Sequence, residues 1–198
     1  MLPLAGRNVR VEVENPGGKL LPAVLWVPDG AAIRGAEAHR IDAKIRRLAA
    51  RGFLVMVADY GHHDPALHGG IISQLLGRLV LIANVDRDRV GLLGIQRGAT
   101  IALAVASVSR WPGALAIYDP AIPNGFDAED VTKLPRTLVL VGADDSMGIA
   151  TVHHLEALLR DRGRPHDVHF QEGVGPEPTE VDLEDAWNRA TEFFEEYL

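Results

Sequence analysis

The stretch Val90-Gly91-Leu92-Leu93-Gly94-Ile95-Gln96-Arg97-Gly98 decides how this chain is read. An apolar run ends in Gly94-Ile95-Gln96-Arg97-Gly98, which has the spacing of a nucleophile elbow, G-x-(Ser/Cys)-x-G. Such an elbow is a sharp strand-to-helix turn. Its two glycines let the backbone fold tightly and its middle residue stands out over the sheet edge. Here that residue is Gln96. A carboxamide cannot attack a carbonyl: its nitrogen lone pair is delocalised and it has no anionic form near neutral pH.

Outward from the elbow, strand and helix signals alternate. Val9, Val11 and Val13 alternate with charged residues, as a half-exposed edge strand would, and Leu21 to Val27 is a second apolar run. A helix fits Glu37 to Arg51, with Ile41, Ile45, Leu48 and Ala49 on one face and Gly52 as its stop. Phe53 to Ala58 is continuously apolar, the mark of a strand buried on both faces. A polar loop is expected from Asp59 to Gly70, then an apolar helix from Ile71 to Asn84.

Beyond the elbow come a helix over Ala99 to Val108, strands over Ala114–Tyr118 and Thr137–Val141, and a helix over Ile149–Arg160. A strand over His166–Phe170 and a helix over Val181–Tyr197, capped by Thr179, close the chain, while Ser146 is expected to cap the helix after Asp145. This alternation predicts an α/β fold: a doubly wound, mainly parallel sheet of about seven or eight strands flanked by helices. With no repeat, linker or low-complexity tract, residues 1–198 read as a single domain.

Composition narrows the function. The chain has 198 residues, 47% of them hydrophobic, enough to fill one large core. A net charge of −7 without a basic cluster argues against nucleic acid or an anionic membrane as partner. There is no cysteine, hence no disulfide and no thiolate metal site. No segment approaches the ~18 apolar residues of a membrane span and the start lacks a signal-peptide run, so a soluble, cytoplasmic protein is expected.

With these elements in place, the chain resembles the dienelactone hydrolase family of the α/β-hydrolase superfamily over nearly its whole length. The resemblance is carried by Arg47 to Val55 before Ala58-Asp59-Tyr60, by Val85 to Gly94 before the elbow, and by Leu134 to Leu138. Gly142-Ala143-Asp144-Asp145, Leu158 to Gly163 and Asp185 to Arg189 continue it in the same order. It implies an α/β-hydrolase fold with a pocket above the C-terminal sheet edge, usually acting on esters or lactones. It also implies that Asp145 holds the triad-acid position and Gln96 the nucleophile position. The histidine normally follows a Gly-x-Gly-like turn, and here Gly173-Val174-Gly175 runs into Pro176. Proline cannot relay a proton. Where the family often has His-Gly, this chain has Asp29-Gly30, and a carboxylate beside a developing oxyanion would destabilise it.

No other residue restores the missing chemistry at sequence level. His153 and His154 read as a solvated helix face, His166 and His169 lie on the final strand, and Ser73, Ser107, Ser109 and Ser146 lack an elbow. The loop Tyr60-Gly61-His62-His63-Asp64-Pro65-Ala66-Leu67-His68 follows a buried strand, where α/β proteins place ligands. Its spacing matches no zinc signature, so it reads as a lid with a substrate-facing histidine; neither a metal nor a cofactor is expected. Asp29, Asp59, Asp119 and Asp145 each follow a strand and should line one sheet edge, where converging carboxylates raise one another's pKa.

The candidate catalytic residues are therefore Asp145, Asp29 and His63, and the candidate substrate-binding residues Gln96, Arg97, Gly30, Asp119 and His62. With Asp29, Asp119 and Asp145 converging on the strand ends and only Arg97 as a nearby cation, the pocket should prefer neutral or cationic small molecules to anions. Three readings follow. The first is a non-hydrolytic enzyme of isomerase, epimerase, cyclase or lyase type, using acid/base chemistry on a small molecule. The second is a non-catalytic ligand-binding or scaffolding pseudoenzyme, and the third a weak hydrolase using activated water. The helix Ile71–Asn84 is most simply core, though a surplus apolar face could serve a homodimer.

Overall fold

The computed structural model describes residues 3–4, 7–8, 10–12, 19–30, 35–60 and 64–198. A two-stranded ribbon of β1 (Pro3–Leu4) and β2 (Arg7–Asn8) precedes the main sheet. The main sheet contains β3 (Arg10–Glu12), β4 (Leu21–Val27), β5 (Leu54–Val57), β6 (Val85–Ile95), β7 (Ala114–Tyr118), β8 (Arg136–Gly142) and β9 (His166–Gln171). Their order is β3-β5-β4-β6-β7-β8-β9. The six strands from β4 on run parallel, and β3 pairs antiparallel with β5 through Arg10, Val11 and Glu12. The edge strand thus lies where the valine alternation put it; Val9 and Val13 fall outside the described residues.

The winding reverses beside β4, and its helices cover both faces. Helices α1 (Gly35–Ala50) and α6 (Glu180–Tyr197) pack on one; α2 (His68–Leu79), α3 (Arg97–Val108), α4 (Ala128–Val131) and α5 (Ser146–Asp161) pack on the other. Period-two alternation divides each strand between them. On β4, Ala23, Leu25 and Val27 join α2, α3 and α5, while Val24 and Trp26 join α1 and α6. Both faces are buried, which is why the strands read as unbroken apolar runs. Gly91 is needed under α6, since a Cβ there would lie 2.7 Å from the Phe194 ring.

Some boundaries differ from the sequence reading. The helix expected over Ile71–Asn84 is α2, His68–Leu79. The expected loop is shorter, because Asp64 accepts from the Ala66 amide and opens a 3-10 turn, Pro65–Leu67, that runs into α2. Ile72, Leu75, Leu76 and Leu79 are all buried, so the apolar face of α2 is core. Asp145, and not Ser146, is the N-cap of α5. Helix α4 was not anticipated; its start is a capping box between Asp127 and Asp130. Thr179 caps α6 as expected, in a reciprocal pair with Asp182. Among the described residues no helix is long and apolar enough to cross a membrane.

Candidate functional site

The turn between β6 and α3 has the geometry its glycines imply. A Cβ on Gly94 would lie 2.5 Å from Ala99 Cα, and one on Gly98 would lie 2.5 Å from the Pro28 carbonyl oxygen. Only glycine lets α3 start this close to β4. Gln96 at the apex has φ 51° and ψ −115°, a conformation that costs a non-glycine residue about 1–3 kcal/mol. The Gln96 amide donates to the Tyr118 carbonyl at 2.7 Å, which anchors the strained residue to β7. The side chain does not cap α3; it lines a cavity on the α1/α6 side.

Asp29 supplies the cap instead. Its Oδ1 accepts from the Arg97 backbone N–H at 3.1 Å, across 68 residues of sequence. A carboxylate at a helix N-terminus is favourable because the first amides have no helical partner and the dipole is positive there. The loop carrying Asp29 is fixed from below by the buried Tyr60 hydroxyl, which donates to the Pro28 carbonyl at 2.5 Å. Burial, with the Asp29 carboxylate nearby, pushes the Tyr60 phenol well above its ordinary range, so it remains a donor. The Arg97 guanidinium lies over Gly30, 3.2 Å from where a Cβ would project. Gly30 has φ +122°, which also favours glycine.

The aspartates meet at the strand ends. Asp119 follows β7 in a left-handed conformation, φ 50°. Burial raises its carboxyl above the usual range, and the Asp145 and Asp29 carboxylates push the same way. The Tyr118 phenol is pushed up to about 12 by burial and then by Asp119, Asp182 and Asp145. Asp145, only 8% exposed, accepts from the Met147 and Gly148 amides at 3.1 and 3.0 Å. Asp59 does not behave as a similar loop clamp, since its buried Oδ1 has no hydrogen-bond partner. The turn Gly173-Val174-Gly175 is pinned to the Asp145 corner by the Asp144 amide, which donates to the Val174 carbonyl at 2.8 Å. Pro176 follows this turn and is exposed.

A family model described as the dienelactone hydrolase family matches residues 67–198. The chain belongs to the dienelactone hydrolase family. Solved structures share its fold at low identity. A dienelactone hydrolase-like promiscuous phosphotriesterase from metagenomic libraries superposes with a TM-score of 0.77 at 18% identity, covering 94% of this chain and 91% of that one. Thermogutta terrifontis esterase 2 phosphonylated by cyclosarin gives 0.72 at 14% identity, covering 95% and 88%. A Mycobacterium tuberculosis puromycin-hydrolyzing peptidase gives 0.77 at 16% identity, covering 98% of this chain and 38% of that longer one. No curated protein sequence matches.

Several candidates from the sequence are brought together and others are not. Asp29, Gly30 and Gln96 share one cavity wall, and Asp29 and Asp145 are both electrostatic neighbours of Asp119. His62 and His63 lie outside the described residues. His68, assigned to the loop, is instead buried in α2 with its ring 4.7 Å from Tyr60. His153 and His154 are exposed, with His153 3.5 Å from Glu156. Among the described residues no group of three or more His, Asp or Glu side chains could hold a metal. Sequence reasoning missed Arg40 and Lys44, which α1 adds to the cavity wall; Arg40 is exposed, whereas Lys44 is buried beside Trp187 of α6.

Proposed function

We propose that this member of the family is a non-hydrolytic enzyme that moves protons on a small molecule, as an isomerase, epimerase, cyclase or lyase does. The observation that carries this reading is the Asp29 carboxylate seated on the Arg97 amide. In acyl transfer, the amide after the nucleophile receives the developing oxyanion. Here that amide already has an anionic partner. A second negative charge ~4 Å from the carboxylate costs about 4 kcal/mol at an effective dielectric of ~20. Gln96 supplies no nucleophile and Pro176 no general base, which points the same way.

Acid/base chemistry needs one group to give a proton and another to take it. Asp119, with its raised pKa, is the proton donor, and the solvent-exposed Asp29 is the acceptor. Asp145 acts on Asp119 through its charge, and the Gln96 carboxamide orients a substrate carbonyl. A second reading, binding without catalysis, is favoured by a different observation: Asp29 and Asp145 both serve as helix caps, a sufficient structural role for each.

Proton abstraction separates the two. Small ketones, lactones and hydroxy acids incubated with the protein in D2O should exchange a C–H for deuterium, observed by NMR. That exchange should fall by at least about tenfold in Asp119→Asn. Binding without any exchange would support the second reading. Release of a hydrolysis product would contradict both.

A further inference from the structure

The cavity beside Gln96 encloses about 330 Å³ and is lined by Trp26, Ile41, Lys44, Ile95 and Leu183 as well as by Asp29 and Glu180. Its charges are unevenly matched. Glu180 pairs with Arg40 at 3.2 Å, linking α1 to α6. Asp29 is engaged by the Arg97 amide. Lys44 is only 7% exposed, yet among the described residues it has neither a carboxylate nor a hydrogen-bond partner. Its ammonium lies 5.9 Å from the centre of the Trp187 ring. Trp187 in turn packs against Trp26 with ring centroids 4.6 Å apart. A lysine that lines the cavity without an ion-pair partner among the described residues offers a bound anion an unclaimed positive charge.

We propose that this cavity binds a small monoanion with a flat apolar body, its carboxylate facing Lys44 and its body lying along Trp26 between Ile41 and Leu183. The far end is bounded by the Gln96 carboxamide and by Asp29, so that end of the ligand is neutral. Carboxylate selectivity reverses the preference that the sequence suggested, because that expectation counted Arg97 and not the lysine on α1. The inference concerns binding alone and stands whether or not the aspartates transfer protons.

Benzoate and trans-cinnamate are the probes, with benzamide and benzylamine as uncharged and cationic controls, followed by thermal shift and titration calorimetry. At least one acid is expected to bind with a Kd below about 10 mM and to raise the melting temperature, with neither control doing so. Lys44→Met, which keeps the side-chain length and the fold, should weaken binding of the acids at least about tenfold. Leu183→Trp, which fills the cavity, should abolish it. Absence of binding by both acids overturns the proposal, as does equal binding of benzamide. Binding lost in Arg97→Ala but intact in Lys44→Met would place the anion at the elbow and overturn it as well.

Discussion

The two faces of the sheet are built differently. The face under α2, α3 and α5 is almost wholly aliphatic, with Leu75, Leu76, Leu103, Val152 and Leu155 at zero or one percent exposure. The face under α1 and α6 carries Trp26, Trp187, Phe193 and Phe194, the buried Lys44, and a cavity that reaches the elbow. The first arrangement is what stability alone requires. The second keeps open space, and both buried indole N–H groups of Trp26 and Trp187 lack hydrogen-bond partners. A core selected for packing alone would have neither, and the proposed ligand site lies on this α1/α6 face.

Substitutions on the two faces should therefore separate stability from binding. The largest effect is expected for Leu103→Ala on the aliphatic face: a loss of about 2–5 kcal/mol in chemical denaturation, with benzoate binding retained by the folded fraction. Gln96→Gly, at the junction of the faces, should gain about 1 kcal/mol by relieving the strain at φ 51°. A loss of stability instead would show that the Gln96 side chain contributes more than its backbone costs. Lys44→Met should leave the denaturation midpoint unchanged or raised while removing carboxylate binding; a large destabilisation would mean that the lysine is structural.

The smallest effect is a pH dependence. The folded pKa of Asp119 is raised, so between its unfolded and folded values the native state holds more protons than the unfolded chain. The stability it contributes is thus present at low pH and declines as pH rises through that window. Asp119→Asn removes the dependence, and asparagine tolerates the left-handed backbone. Melting temperatures of the two proteins should be close near pH 4 and diverge in favour of the variant toward pH 7. A difference of the opposite sign would mean that Asp119 is stabilised as a carboxylate.

The strands were legible because burial on both faces leaves continuous apolar runs, and Ala114–Tyr118 was bounded to the residue. The elbow was legible because two glycines at fixed spacing answer to a steric need, and Gly94 and Gly98 are where a Cβ cannot fit. The family resemblance put Asp29 beside the oxyanion position, but its bond to the Arg97 amide, which spans 68 residues, was seen only in the structure. The start of α2 was not legible, since Pro65, Gly69 and Gly70 read as loop while the burial of His68 depends on Tyr60, a tertiary neighbour. For the same reason, Lys44 was not singled out. On α1 alone it belongs to a solvated face, and only Trp187 from the far end of the chain makes it an interior charge.

The central claim is that the elbow of this dienelactone hydrolase family member performs no covalent acyl chemistry, because Gln96 stands at its apex and Asp29 occupies the Arg97 amide. Intact-mass spectrometry after incubation with a fluorophosphonate tests it most directly, with p-nitrophenyl acetate turnover followed in parallel. No adduct and no burst of nitrophenol are expected, either from the native protein or from Gln96→Ser, which still lacks a base at position 176. Stoichiometric labelling of one residue in the native protein, or appreciable esterase activity in Gln96→Ser, would contradict the account.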